Sequence, residues 1–426
     1  MPLEPPHKSA PPTAWAAMLR SLLEAGPASR AELHRRTGLR PNTVGQTIDA
    51  MVSARWVREA GTAHANQRLG GEGRGRPATL VEVDDRSRDV IGLALMPGEL
   101  QAVRLSLTGE PLGRPVTRRV RRAPALIEAG AEAIGELMKK RTLAVGVSSP
   151  GLLDESAMRL LFSSVAHEAG GVSLHPLVEA ARPRPMAFEN DVHAIADWWR
   201  LSQPHAAGET TLLVRLGDGA IGASLMPGGG ESDPGCVRGA NELGHTQVGL
   251  EAFASAAAPR PAVCFCGQPR CIERVFSSDM IHRLDGSRRR LPSALRRWAA
   301  QAQAHPDGPP DSPERWIVER LAEASANVIN FSRPRRVVWV GAGPMAAVMP
   351  VLSAPLEAAV HARLLPALRE RVAMSCWSAK ETGAFSDAAI AAGHLALALL
   401  TGRRAPALQG QEIAANGSGQ PSGHVA

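Results

Sequence analysis

Three cysteines and one histidine form the clearest chemical pattern in the sequence. Cys264, Cys266 and Cys271 fall within eight residues, with Gly267 between them, and His245 lies upstream across a loop. Thiolate sulfur and imidazole nitrogen are common zinc ligands, and three Cys with one His complete a tetrahedral site that has no open position. The pattern therefore predicts a structural zinc ion; the alternatives are buried thiols or a disulfide.

Two carboxylates stand beside these ligands in the sequence. Glu242 precedes His245 by three residues, and Glu273 follows Cys271 by two. A bound metal would fix the surrounding chain and so orient both side chains. Carboxylate oxygens accept hydrogen bonds from hydroxyl groups, so the pair suits a polyhydroxylated ligand. Two unrelated surface glutamates are the alternative interpretation.

Two further polar side chains stand at a predicted strand-to-helix junction. Asn190 and Asp191 follow a short apolar strand and open a helix that runs through Trp199. Ligands of open α/β sheets bind at the carboxyl ends of strands. An isolated Asn-Asp pair at such a place is more typical of a helix cap.

The N-terminal residues predict a small basic module. Residues 1–80 contain 11 Lys and Arg against 6 Asp and Glu, which gives +5 of the total charge of +7. Helical spacing and caps predict three helices, the second opened by a Ser29–Glu32 capping box and the third by Pro41. A helix-turn-helix of this kind, followed by two strands around an Arg-rich loop, predicts a winged DNA-binding domain.

The third helix is predicted to be the DNA-reading element. Val44, Ile48, Met51 and Val52 form its apolar stripe, so the polar side chains are expected to face the other way. Asn and Gln can read adenine edges, and Arg can contact phosphate or guanine. The predicted DNA-binding residues are Arg40, Asn42, Thr43, Gln46 and Thr47 on this helix and Arg74 and Arg76 at the wing.

Both parts of the sequence resemble the ROK family of repressors and sugar kinases. The string Glu-Leu-Gly-His, followed by Cys-x-Cys-Gly-x-x-x-Cys-x-Glu, is similar to its zinc and sugar motif. The module is similar to the family's winged helix-turn-helix, although Arg40 and Gly45 replace residues that are usually serines there. By this resemblance the sugar-binding residues are Asn190, Asp191, Glu242, His245 and Glu273, and His245 serves both the metal and the sugar.

One stretch departs from the family's kinases. Their first strand leads into Asp-x-Gly-Gly-Thr, which presents backbone amides to phosphates and an Asp to the metal. Here the place is taken by Gly92-Leu93-Ala94-Leu95-Met96-Pro97. The stretch has no Asp, no glycine pair and no Thr, which predicts that the protein is not a kinase. Glycine-containing turns at 217–222 and 341–344 are interpreted as structural turns.

The resemblance implies an α/β fold with an N-terminal winged helix-turn-helix and a two-lobed, actin-like (ribonuclease-H-like) body. The expected division is a disordered tail over 1–12, the DNA-binding domain over 13–83, the sugar-binding body over 88–403 and a disordered tail over 404–426. A mean hydropathy of −0.10 and the lack of any apolar run of about 20 residues indicate a cytoplasmic protein without a membrane segment.

The expected function is a transcriptional regulator, of the repressor kind, controlled by a sugar or sugar phosphate. Its expected partners are a double-stranded DNA operator and further copies of itself, in a homodimer or homotetramer. The alternatives are an active sugar kinase fused to a DNA-binding domain and a DNA-binding protein that responds to no sugar.

Overall fold

The computed structural model describes residues 13–63, 78–120, 122–154, 158–163, 171–203, 206, 208–228, 242–250, 260–304, 312–378, 384–404 and 406. Arg74 and Arg76 of the predicted wing, the tail over 1–12 and almost all of the tail over 404–426 lie outside these residues. Among the described residues, none of the helices combines the length and the apolar character that a membrane span requires.

Residues 13–83 form three helices and a small antiparallel sheet with the strand order β1-β3-β2. Both hydrogen bonds of the capping box are present: the Ser29 hydroxyl accepts from the Glu32 amide, and the Glu32 carboxylate accepts from the Ser29 amide. Gly38, with φ of 70°, ends the second helix, and Pro41 starts the third. The elements are α1 (Thr13–Ala25), β1 (Ala28–Ser29), α2 (Arg30–Thr37), α3 (Pro41–Ser53), β2 (Val57–Ala63) and β3 (Ala78–Val83).

The α3 helix presents most of the predicted DNA-binding side chains on its outer side. Arg40, Asn42 and Gln46 are exposed and Thr43 is half-buried. The predicted outward orientation of Thr47 is wrong, because its side chain is only 8% exposed. Thr47 follows Val44 by three residues and therefore lies on the apolar side of the helix.

The next part of the chain forms a five-stranded sheet with the order β11-β7-β4-β5-β6, hereafter the first sheet. A smaller sheet with the order β10-β9-β8 lies beyond the end of β7. The elements are β4 (Asp89–Met96), β5 (Glu99–Ser106), β6 (Val116–Arg119), α4 (Ala123–Leu137), β7 (Thr142–Ser149), β8 (Leu152–Asp154), β9 (Arg159–Phe162), β10 (Val172–Ser173), α5 (His175–Ala181), β11 (Met186–Asn190) and α6 (Asp191–Ser202).

The remaining residues form a four-stranded second sheet with the order β13-β12-β14-β15. Short 3-10 turns over Leu243–His245 and Gly343–Met345 accompany it. The elements are β12 (Thr211–Leu216), β13 (Ile221–Met226), α7 (Ile272–Val275), α8 (Ser278–Asp285), α9 (Leu291–Ala304), α10 (Pro313–Ser332), β14 (Arg336–Gly341), α11 (Met349–His361), α12 (Pro366–Arg369), β15 (Ala373–Trp377) and α13 (Asp387–Leu400).

The last helix, α13, returns to pack on the first sheet. A Cβ atom at Gly92 would lie 2.3 Å from the Ala389 carbonyl oxygen, and one at Gly146 would lie 1.9 Å from the Ala392 oxygen. Glycine at both positions therefore lets the helix backbone lie directly on β4 and β7. The apolar residues of α13 share one core with those of α1 and α3.

Polar contacts connect residues 13–83 with the rest of the chain. Arg20 of α1 donates to the Thr401 carbonyl at 3.1 and 2.8 Å, and Arg403 pairs with Glu24. Arg88, just before β4, donates to the Ala54 carbonyl at 3.0 and 2.6 Å. The end of α13 and the 84–88 segment thus both hold the N-terminal elements.

Candidate functional site

The four predicted metal ligands come together between the second sheet and the smaller sheet. One donor atom each from His245, Cys264, Cys266 and Cys271 lies within 4.8 Å of every other. The Sγ atoms of Cys266 and Cys271 are 3.4 Å apart, as are Cys264 Sγ and His245 Nδ1. A tetrahedral zinc site has ligand-to-ligand edges of about 3.5 to 3.8 Å. This arrangement can hold a metal ion.

Local backbone bonds explain why these distant residues meet. The Cys264 amide donates to the Gln268 carbonyl at 3.0 Å, which closes the cysteine turn. The Ile272 amide donates to the Thr246 carbonyl at 2.9 Å and so joins the cysteine segment to the histidine segment. Gly244 is required beside His245, because a Cβ there would lie 2.3 Å from the Ile221 oxygen of β13.

One thiol of the cluster is hydrogen-bonded to a neighbouring carboxylate. Burial, followed by a hydrogen bond to Glu273, raises the pKa of the Cys264 thiol to about 12. Its Sγ lies 2.8 Å from Glu273 Oε1, so the neutral thiol donates to that carboxylate. Coordinated thiols are deprotonated by the metal. Glu273 would then lose this donor and become free to accept another.

Three carboxylates converge next to the possible metal centre. His245 turns Nδ1 toward Cys264 and Nε2 toward Glu242, whose Oε2 is 3.7 Å away. Burial, with the charges of Asp191 and Glu273, raises the pKa of Glu242 to about 7. The other oxygen, Glu242 Oε1, is buried and accepts no hydrogen bond from any described residue. A buried acceptor without a donor is costly unless a ligand supplies one.

The Asn190-Asp191 pair lies across from these glutamates, at the carboxyl end of β11. Asn190 caps α6 by accepting from the Val192 and His193 amides, and its Nδ2 donates to the Gly151 carbonyl at 3.1 Å. Asp191 is buried, and its Oδ2 lies 3.1 Å from Arg215 Nη1 of β12. Asn190 therefore caps α6, while Asp191 is held by a charge from the second sheet.

An aromatic group covers the metal ligands from the side of the smaller sheet. Phe162 of β9 stacks on Phe265 with ring centroids 5.1 Å apart, and both rings meet the His245 imidazole edge-on. The contact joins β9 to the cysteine turn. It shields His245 from solvent on this side and leaves its Nε2 edge toward Glu242.

Comparison with known proteins identifies the family. A family model described as "ROK family" matches residues 113–399. The chain belongs to the ROK family. A curated relative, the "Putative xylose repressor" of Caldicellulosiruptor sp. (strain Rt8B.4), is 23% identical over 269 residues. That match covers 61% of this chain and 62% of the relative, so the chain spans less than two thirds of the relative's length.

Solved structures show the same ROK fold. A ROK family transcriptional regulator, described as a homologue of the E. coli MLC protein, is 19% identical with a TM-score of 0.66. The match covers 91% of this chain and 97% of that one. A ROK glucokinase from Streptomyces griseus, in complex with glucose and AMPPNP, is 18% identical with a TM-score of 0.52 over 72% of this chain and 99% of that one. The body is thus a mixed α/β, actin-like fold of the sugar-kinase type.

The segment that corresponds to the phosphate loop of ROK kinases is a tight hairpin. Met96 of β4 pairs directly with Glu99 of β5, so only Pro97 and Gly98 form the turn. Leu93 and Leu95 are fully buried. Asp218 of the other glycine turn accepts from the amide and hydroxyl of Ser278 and thereby caps α8. The sequence interpretation of 217–222 as a structural turn agrees with this bond.

Sequence reasoning missed two residues of this site. Arg215 could have been noticed, because it is the only charged residue in the strand Thr211–Leu216, whose other residues are all buried. Phe162 gives no such signal, since its partner Phe265 is far away in the sequence. His193 of α6 places its Nδ1 at hydrogen-bond distance from the Ser224 hydroxyl of β13.

Proposed function

We propose that this ROK protein is a DNA-binding transcriptional regulator, of the repressor class, whose operator affinity responds to a sugar or sugar derivative. The observation that carries the proposal is the buried Glu242 Oε1, which has no hydrogen-bond partner among the residues that the structure describes and lies beside two further carboxylates. A polyhydroxylated ligand can donate to such a group, and it needs no phosphate-transfer machinery to do so.

The proposed pocket consists of the residues that face each other between the two sheets. Glu242 Oε1 and Glu273 would accept from ring hydroxyls, and Asp191 Oδ1 would accept another while Oδ2 stays with Arg215. Asn190 positions this junction and retains one Nδ2 hydrogen for a ligand. His245 would donate or accept through Nε2, depending on its tautomer. The proposed sugar-binding set is Asn190, Asp191, Glu242, His245 and Glu273.

We further propose that the four-residue cluster binds a structural zinc ion. His245, Cys264, Cys266 and Cys271 provide a full tetrahedral set, which matches a site that stabilises structure and does not take part in chemistry. Zinc would fix the cysteine turn and release Glu273 from its thiol donor. Metal analysis of the purified protein tests this: about one zinc per chain is expected for such a site, and its absence would refute it.

The N-terminal elements support operator binding. The α2–α3 pair is joined by a Gly38 turn, and the exposed Arg40, Asn42 and Gln46 suit contact with bases and phosphates. Thr43 is half-buried beside them, whereas the buried Thr47 would act through packing. We propose that residues 13–83 form a winged helix domain, with Arg74 and Arg76 at the wing, and that residues 88–403 form the sugar-binding body.

A continuous set of contacts could carry the signal from the pocket to the DNA-binding elements. Arg404 pairs with Glu189, which is adjacent to Asn190, at 2.6 Å. Burial alone would raise the pKa of Glu189, but the Arg404 charge holds it below its usual range. The preceding residue, Arg403, pairs with Glu24 of α1. A ligand-induced shift at β11 would therefore reach α1 through two neighbouring arginines.

The decisive experiment measures operator binding in the presence of hexoses, pentoses and amino sugars. At least one sugar is expected to change the affinity, and Asp191→Ala is expected to abolish that response while leaving DNA binding intact. No response to any sugar would favour a DNA-binding protein without a sugar effector. An ADP-release assay addresses the kinase alternative: the hairpin at Met96–Glu99 predicts no turnover, and sugar-dependent ADP release would overturn the proposal.

A further inference from the structure

A strongly basic cavity lies where the N-terminal elements meet the body, away from the carbohydrate pocket. Its volume is about 410 Å³. It is lined by Arg55, Arg86, Ser87, Arg88, Lys140 and Arg141. Five of these six residues are cationic, and they come from three separate parts of the chain. Like charges repel when gathered in one place, so such a grouping favours the binding of an anion.

Two of the cations are already committed to protein partners. Arg141 Nε lies 2.7 Å from Asp89 Oδ2, and Arg88 donates to the Ala54 carbonyl. Arg55, Arg86 and Lys140 are exposed, and none of them forms an ion pair within the part of the chain that the structure describes. These three charges are therefore available to a ligand.

The backbone at Arg55 is unusual for an arginine. Its φ is 57°, in the left-handed region that favours glycine, and it lies two residues after the end of α3. Arg55 nevertheless stands at the cavity, beside Arg88. Burial, and then the charges of Arg184 and Arg55, lower the pKa of Arg88.

We propose that this cavity is a binding site for a compact phosphate-bearing anion, such as a phosphorylated metabolite. The cavity accepts the phosphate groups through Arg55, Arg86 and Lys140, while Ser87 adds a hydroxyl donor. Guanidinium and ammonium groups are the usual partners of phosphate oxygens. The bound anion joins α3, through Arg55, to the body, through Lys140.

The position favours a small anion over the DNA backbone. Arg55 follows the last turn of α3, whereas Asn42 and Gln46, the proposed base-reading residues, lie toward its start. A helix of this length separates its ends by about 20 Å. Binding would therefore act on the geometry between α3 and the body, independently of the sugar pocket.

Calorimetric titration of the full-length protein with inorganic pyrophosphate tests the proposal, with chloride used to keep the ionic strength constant. The test variant is Arg86→Ala/Lys140→Ala, which removes two exposed cations without breaking a described ion pair. Removal of charge-assisted hydrogen bonds is expected to weaken pyrophosphate binding by at least about tenfold. Lys139→Ala is the matched control, because Lys139 is exposed and adjacent but does not line the cavity.

Asp191→Ala provides a second control. It removes a carboxylate from the acidic sugar pocket and should leave pyrophosphate binding unchanged, so failure of the sugar proposal and failure of this one remain distinguishable. The proposal is overturned if wild-type protein does not bind pyrophosphate at millimolar concentration, or if Lys139→Ala weakens binding as much as the double variant. It is also overturned if the double variant binds pyrophosphate like the wild type but binds duplex DNA more weakly and with a smaller salt dependence. The two cations would then contact the DNA backbone.

Discussion

The region around His245 and the region around Pro97 differ in what they can bind. Around His245, four potential ligand atoms lie within 4.8 Å of one another, and a buried carboxylate oxygen nearby has no donor among the described residues. Around Pro97, the backbone is instead paired up to Met96 and Glu99, and the side chains below it are apolar. One region has groups that can recognise a ligand, and the other lacks the Asp, the glycine pair and the Thr of the kinase loop.

This difference separates recognition from catalysis in physical terms. Recognition of a polyol requires fixed acceptors, and a rigid metal-bound turn can hold them in place. Phosphoryl transfer requires free backbone amides and a metal-binding Asp near the nucleotide. A hairpin that uses its backbone for strand pairing offers neither. The proposed sugar-responsive regulator requires recognition of the sugar but not phosphoryl transfer. Variants in each of the two regions test this difference.

The largest effect is expected from Cys271→Ser, which removes a fully buried ligand of the proposed zinc site. Binding of a structural metal contributes directly to folding free energy. A loss of about 4 kcal/mol would lower the unfolding midpoint by on the order of 10 °C in a domain of this size. Differential scanning calorimetry together with elemental analysis checks both the midpoint and the zinc content. A chelator should have the same effect on the wild-type protein.

Cys376→Ser is the matched control for that prediction, because Cys376 is a half-buried thiol on β15 outside the cluster. It should change neither the zinc content nor the midpoint substantially. If the two variants behave alike, the cluster is only a set of packed thiols, and the region around His245 contains no metal site.

Acid should destabilise the first-sheet side of the molecule through His394 of α13. Burial lowers the pKa of this imidazole from 6.5 to about 4, and its ring stacks on Trp198. Between these values the unfolded chain binds a proton that the folded chain does not, so stability falls as the pH drops from 6.5 to about 4. The shift corresponds to roughly 3 kcal/mol at most.

Denaturant titration of the wild type and His394→Gln at several pH values measures the contribution of His394 to the free energy of unfolding. The metal centre contributes to both proteins alike and therefore does not affect the comparison. The wild type should lose more stability than the variant across that pH window. Equal slopes would mean that His394 becomes protonated in the folded state, and that the packing around Trp198 and Gly109 tolerates charge.

Short-range features of the site could be predicted from the sequence, and long-range ones could not. The metal ligands were found because three of them lie in one turn, where spacing alone fixes geometry. Thr47 was misplaced because its polar character was given more weight than its spacing of three residues from Val44. The lone charge of Arg215 in a buried strand signals a partner, but its partner Asp191 opens α6 beyond the first sheet, and no local pattern encodes a contact between residues so far apart in the chain.

Glu242→Gln tests whether the region around His245 binds a sugar. The substitution keeps the shape but removes a charge that Asp191 and Glu273 repel, so the free protein should not lose stability. A ligand that donates to the carboxylate should bind about tenfold more weakly, because hydrogen bonds to charged groups are stronger. Thermal unfolding and sugar titration measure the two quantities. Reduced stability with unchanged sugar affinity would place Glu242 in a structural role.

The smallest effect concerns the hairpin itself. Gly98 has a φ of +75° with open space around its Cβ position, so Gly98→Ala should destabilise the protein by about 1 kcal/mol through backbone strain alone. Gly135→Ala, in the exposed part of α4 with equally open space, should instead stabilise by about 0.5 to 1 kcal/mol. Neither variant should alter the sugar response. If Gly98→Ala left stability unchanged but altered nucleotide binding, the hairpin would act as a phosphate loop. Both regions would then bind a ligand.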